Sequence, residues 1–176
     1  MNSRYSGLLA LALWPLALNA GQKPPVYKSP PEKLPVAVAP QPIAFSHKKH
    51  IALGLGCLGC HETAETKDEA GLPQAEKCLV CHETMETQSP EIKKLSAFKR
   101  RGEKIKWVRV YRLPDFVFFS HANHLKAQVK CEACHGPVAQ RDVLAKEVST
   151  NMVACMNCHA ARNAPRSCVA CHQLGH

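Results

Sequence analysis

Phe45-Ser46-His47-Lys48-Lys49-His50, six residues, then Cys57-Leu58-Gly59-Cys60-His61: this stretch occurs twice in the chain. The second copy is Phe119-Ser120-His121-Ala122-Asn123-His124, six residues, then Cys131-Glu132-Ala133-Cys134-His135, displaced by 74 residues without a gap. One more Cys-X-X-Cys-His unit follows the first copy, at Cys78, Cys81 and His82. Two follow the second, at Cys155, Cys158, His159 and at Cys168, Cys171, His172. These five units account for all ten cysteines. Two thiols three residues apart on one short turn of helix reach two vinyl groups of a single porphyrin, and the next imidazole then lies under the iron. Zinc modules also use paired Cys-X-X-Cys units, and an even cysteine count in an exported chain permits disulfides, but neither needs a histidine after every pair. The pattern therefore reads as five covalent haem c groups, with His61, His82, His135, His159 and His172 as proximal ligands.

Composition agrees with that reading. In 176 residues there are 23 Lys and Arg against 14 Asp and Glu, a formal charge of +9, and only 6% aromatics. So few aromatics argue against a conventional large enzyme core and for an apolar interior supplied by something other than side chains. No apolar run reaches the ~18–20 residues of a confident spanning helix, which excludes a polytopic membrane protein. A folded part of ~134 residues has a radius of gyration of about 14 Å, so five porphyrins inside it must be near neighbours. They would be the core, and binding them would be folding. The expected architecture is mainly α with much irregular structure, organised around five haems, with a minor short β element.

The chain divides by composition. Residues 1–20 combine Arg4, an apolar stretch from Gly7 to Leu18 and a small Ala20, the signature of a secretory signal; an uncleaved anchor is the alternative, disfavoured by Pro15. Export to the periplasm follows, with membrane association through a partner or the uncleaved N-terminus as the variant. Residues 21–42, which hold seven of the 13 prolines, read as an extended tether outside the globule. The first haem repeat, 43–90, carries two haems, and the second, 117–176, carries three. Between them, 91–116 opens with a helix signal at Ser89-Pro90 and apolar Ile92, Leu95 and Phe98. Ile105, Trp107 and Val108 to Tyr111 then read as a short strand.

Five histidines remain as distal ligands: His47, His50, His121, His124 and His176. In each His-X-X-His doublet the two rings share a helix face, so they cannot hold one iron from opposite sides. They suit two neighbouring haems. For the fifth iron the candidates are Met152, a thioether that raises the potential relative to bis-His ligation, His176, or an open site.

The Phe-X-His-X-X-His doublet ahead of closely set haem motifs resembles the class III multihaem cytochrome c family, over Ile43 to His172. The resemblance implies that His121 ligates the iron of His135 and His124 that of His159. It likewise implies His47 for the iron of His61 and His50 for that of His82. Met152 lies where the family's third ligand would fall, implying the iron of His172, although Met replaces His there with a one-residue shift. A narrower similarity runs from Trp107-Val108-Arg109-Val110-Tyr111-Arg112-Leu113-Pro114-Asp115-Phe116-Val117 into Phe119-Ser120-His121 and then Cys134-His135-Gly136-Pro137-Val138. These residues are similar to the pentahaem subunit of alternative complex III, a quinol-oxidising membrane assembly, and to pentahaem subunits that accompany molybdenum oxidoreductases.

The implied function is electron relay between redox proteins, not catalysis. A reductase with one open haem is the competing reading, and no motif here replaces its histidine with lysine, as ammonifying nitrite reductases do. Lys93, Lys94, Lys99, Arg100, Arg101, Lys104 and Lys106 form a basic segment, read either as a solvated face that balances haem propionates or as a surface that would steer an acidic cytochrome or similar partner. Two propionates against one net iron–porphyrin charge bring the loaded chain to roughly +4. No base-stacking aromatic array supports nucleic acid binding.

Overall fold

The computed structural model describes residues 25–85 and 89–172. Its elements are short helices: α1 His47–Ala52, α2 Ala75–His82, α3 Pro90–Arg101, α4 His121–Lys126, α5 Glu132–His135, α6 Met152–Ala161 and α7 Cys168–Cys171. The signal segment and His176 lie outside the described residues. Among the described residues no helix is long and apolar enough to cross a membrane.

Local chemistry sets the helix ends. Ser46 and Ser120 are N-caps whose hydroxyls accept from Lys49 N at 3.1 Å and Asn123 N at 3.3 Å. This is why serine precedes each histidine doublet: it starts the helix at the first histidine. α3 has Pro90 in its first turn, Lys99, Arg100 and Arg101 in its last, and Gly102 at φ 62° as a left-handed stop.

The side-chain core is small. Ile43, Ala75, Leu79, Leu95 and Ile105 are buried together, with Cys78, Ile92, Phe98 and Trp107 packed against them. This cluster joins α2 to α3. In the second repeat the buried apolar residues among those described are Ala122 and Ala160 alone. Leu58, Val80 and Val169, all inside haem motifs, are exposed.

Two expectations are corrected. Residues 105–111 form no strand; among the described residues the β pairing is confined to isolated bridges, Val36 with Lys146 and Val117 with His172. Side chains take the hydrogen bonds a neighbouring strand would have taken. Gln74 Oε1 accepts from Ile105 N at 2.7 Å, and Gln41 both accepts from Val108 N and donates to Val108 O. The proline-rich segment is extended but is no free tether. Tyr27 N donates to Asn157 Oδ1 at 2.7 Å, Asn157 Nδ2 returns a bond to Tyr27 O, and Glu32 pairs with Lys146 at 2.5 Å. Val36 and Lys146 exchange both backbone bonds at 2.9 Å. The segment is a strap laid along the second repeat.

The two repeats interlock by exchange. Lys48 N donates to Arg141 O at 3.0 Å, and Ala122 N donates to Lys67 O at 3.2 Å. Donors and acceptors are each 74 residues apart, the repeat offset. Each histidine helix therefore sits on the loop that follows the other repeat's first haem motif. Ser46 Oγ adds a bond to Asp142 Oδ1 at 2.6 Å, and His121 N adds one to Asp68 O at 3.1 Å. The arrangement is a pseudo-twofold within one chain.

Gly136, directly after the third proximal histidine, shows how closely this interior is drawn. Its φ is 69° and ψ −164°, a region reserved for glycine. A Cβ there would lie 3.3 Å from Glu147 Cβ and 3.4 Å from Val148 Cγ2. Both neighbours are held by Tyr111, whose hydroxyl oxygen accepts from Glu147 N and Val148 N at 3.0 and 3.2 Å. Gly136→Ala is expected to destabilise the haem-loaded protein by about 1–3 kcal/mol, read as a lowered thermal midpoint.

Candidate haem-ligand site

The exchange brings the histidines together in pairs. The ring centres of His121 and His135 are 6.3 Å apart and their planes differ by 10°. Those of His124 and His159 are 6.0 Å apart, as are those of His50 and His82. His47 and His61 interact electrostatically. One iron between two imidazoles, about 2 Å from each nitrogen and about 1.1 Å further from each ring centre, requires centres about 6.2 Å apart. The three pairs His50 with His82, His121 with His135 and His124 with His159 have the spacing that one metal between them would require.

The rings are also oriented. Nδ1–H of His50 donates to Ser46 O at 2.8 Å, and that of His124 donates to Ser120 O at 2.7 Å. His121 donates to Asp68 O at 2.6 Å, His61 to Gly71 O at 2.7 Å and His159 to Pro165 O at 2.6 Å. A carbonyl accepts only, so each bond fixes the proton on Nδ1 and leaves the Nε2 lone pair for a metal. Burial, followed by the charges of His61 and His50, pulls the His47 pKa down to about 4. Burial and the neighbouring His121 and His61 lower that of His135. Neutral imidazole is the ligating form.

Phe45 and Phe119 complete the cradle. Phe45 stacks on His50 at 4.3 Å and meets His47 edge-on at 4.8 Å. Phe119 does the same with His124 at 4.5 Å and His121 at 4.8 Å. The sequence motif contains these phenylalanines without revealing their role. Their recurrence at one offset was the available signal. Tyr111, edge-on to His135 at 4.8 Å, carries no such repeat signal.

The cysteines place the motifs in order. All ten are free thiols. Cys78 interacts electrostatically with Cys60, and the Cys131 thiol both interacts and hydrogen-bonds with that of Cys57, its own equivalent in the other repeat. Cys134 interacts with Cys155 and Cys158, and Cys155 with Cys171. These interactions connect neighbouring motifs in the order, named by their histidines, His82, His61, His135, His159, His172. The pseudo-twofold passes between the second and third.

His172 stands apart. Its ring faces Phe116 at 5.8 Å, and its Nδ1–H points to Phe116 O at 3.4 Å. Met152, the first residue of α6, is 65% exposed and is not paired with His172 by any contact in the structure.

Residues 49–111 match the family described as cytochrome c3, and residues 117–173 match cytochrome c7 and related cytochrome c. The two matches divide the chain as its internal repeat does. The multiheme cytochrome c subunit of menaquinone reductase from Nitratidesulfovibrio vulgaris is 30% identical over 161 residues, covering 76% of this chain and 77% of that one.

Proposed function

Because this chain belongs to the class III-type multihaem cytochrome c family, we propose that it is an exported five-haem electron relay, working as subunit or partner of a quinone-linked oxidoreductase complex. Haem c, when bound, supplies reversible one-electron chemistry at its iron. The chain's part is to hold each iron from both sides. The observation that carries the reading is the histidine pairing: His50 with His82, His121 with His135 and His124 with His159, each about one iron apart, and the electrostatic interaction of His47 with His61. An iron held from both sides by a histidine pair would have no position left for a substrate, which favours relay over catalysis. The linear order of motifs gives electrons one path with two ends.

Export to the periplasm is supported by the N-terminal signal pattern and by the need to attach haem to thiols outside the bacterial cytoplasm. The quinone link is supported by the reductase subunit that the chain resembles.

The mass of the purified protein tests the haem count and the signal together. The expected mass is that of the chain from Gly21 plus five haems. Reduction of all five by a one-electron donor, and reoxidation by a single acceptor, is the expected relay behaviour. Turnover of nitrite or hydroxylamine by the loaded protein would overturn it.

For the iron of His172 we assign Met152, whose thioether is exposed at the start of the helix that carries Cys155, which interacts with Cys171. Met152→Ala is expected to let ferrous protein bind about one carbon monoxide per chain, with the other haems unmoved. An unchanged spectrum removes Met152 and leaves His176.

A further inference from the structure

A histidine that holds iron through Nε2 keeps its proton on Nδ1, and the turn next to each ring decides what that proton meets. After α6, Asn163 takes the left-handed conformation at φ 52°, and Ala164 N donates back to His159 O at 2.8 Å. The reversed chain delivers Pro165 O to the His159 Nδ1–H at 2.6 Å. Gly71, at φ 75°, turns its carbonyl onto His61. His50 and His124 reach the carbonyl four residues back, and His121 reaches Asp68 O. His47 and His82 differ: their Nδ1 atoms are buried without a partner among the described residues. His47 is the repeat equivalent of His121, and there Ser46 Oγ rather than the ring bonds to Asp142, the equivalent of Asp68. The histidine pairs are therefore unequal. His124 and His159 carry two N–H···O=C bonds. His47 with His61, and His50 with His82, carry one each and one bare Nδ1.

Resting on the histidine pairs of the relay reading, we propose that these carbonyls order the potentials, with the iron of His159 below those of His61 and His82. A bond from Nδ1–H to a carbonyl makes an imidazole more basic and a stronger donor to a metal. Stronger donation favours ferric over ferrous iron, so two such bonds give a lower potential than one. An electron at His159 would then run downhill toward the first repeat.

The test is a redox titration of the haem-loaded protein followed by nuclear magnetic resonance, with each haem-methyl signal assigned through its own Cys-X-X-Cys-His motif. At the potential that half-oxidises the His159 iron, the irons of His61 and His82 should each favour the ferrous form about tenfold or more, about 59 mV for a one-electron couple. Two variants move one carbonyl each. At Gly71 a Cβ would lie 2.9 Å from Thr63 Oγ1, itself held by Glu69 O at 2.6 Å, so Gly71→Ala turns the acceptor away from His61. Asn163→Val disfavours the left-handed turn ahead of Pro165, and Asn163→Gly keeps it. Gly71→Ala should shift the His61 iron, and Asn163→Val the His159 iron, about threefold or more toward ferrous, each leaving the other unmoved and haem content unchanged. Asn163→Gly should shift neither. A His159 iron at or above either first-repeat iron, or variants that leave their own iron unmoved, would overturn the proposal. Electron paramagnetic resonance of the oxidised protein separates this failure from failure of the relay reading, because the pairing requires four bis-histidine ferric haems and fewer would count against the pairs themselves.

Discussion

Chain produced without haem attachment is expected to be unfolded: a far-ultraviolet spectrum near coil, no cooperative thermal transition and rapid proteolysis. The side-chain core explains why. Its larger members, Ile43, Leu79, Leu95 and Ile105, belong to one cluster between α2 and α3. The only side chains of the second repeat that are buried among its described residues are those of Ala122 and Ala160. Alanine offers little apolar area, and at roughly 25 cal/mol per Å² this cannot offset about 1–2 kcal/mol of backbone entropy per ordered residue. Helices of four to ten residues, such as α1, α4, α5 and α7, do not hold themselves in water. Covalent haems would supply the missing apolar area by covering exposed Leu58, Val80 and Val169, and each proposed ligand pair would tie together two separate segments. A cooperative transition in the haem-free chain, detected by calorimetry, would show that side chains suffice.

The second large effect is electrochemical. His124→Met is expected to raise the potential of one haem, that of His159, by on the order of 0.1–0.3 V, within the roughly 0.8 V that axial ligands span. A thioether favours the ferrous iron relative to an imidazole. Haem content should not change, because Cys155 and Cys158 still attach the porphyrin and His159 remains below it. The Ser120 cap and the Phe119 stack persist, so the substituted side chain starts from the same place on α4. Spectroelectrochemical titration reads the shift; five unmoved potentials would remove His124 from the ligand map. Phe119→Leu provides a milder comparison. It removes the ring that orients both His121 and His124, and should broaden two haem signals in electron paramagnetic resonance without altering haem count.

Much of the site was legible because its information is local. Cys-X-X-Cys-His is a complete instruction within five residues, and the serine cap and doublet are complete within six. The helix at Pro90–Arg101 was legible for the same reason, since proline, periodic leucine and a terminal glycine all act over one or two turns. What could not be read was non-local. The docking of each histidine helix on the opposite repeat depends on Lys67-Asp68 and Arg141-Asp142, and these dipeptides stand 74 residues apart in plain view. A doublet spacing says that two haems are served but not which loop carries the helix. The strap at 25–42 shows the same limit. Proline content dictates extension, whereas its docking depends on Asn157 and Lys146, more than a hundred residues on. The absent strand had β-branched and aromatic residues from Ile105 to Tyr111, but β structure needs a neighbour, and glutamine side chains stood in for one.

On the proposed reading, four histidine pairs would each hold one iron from both sides. The most direct measurement is the ferrous absorption spectrum of the five-haem protein with and without carbon monoxide, normalised to haem. The expected result is no response from the haems of His61, His82, His135 and His159, and so a change equivalent to at most one haem in five, assigned to His172. A change equivalent to two or more haems would contradict the claim.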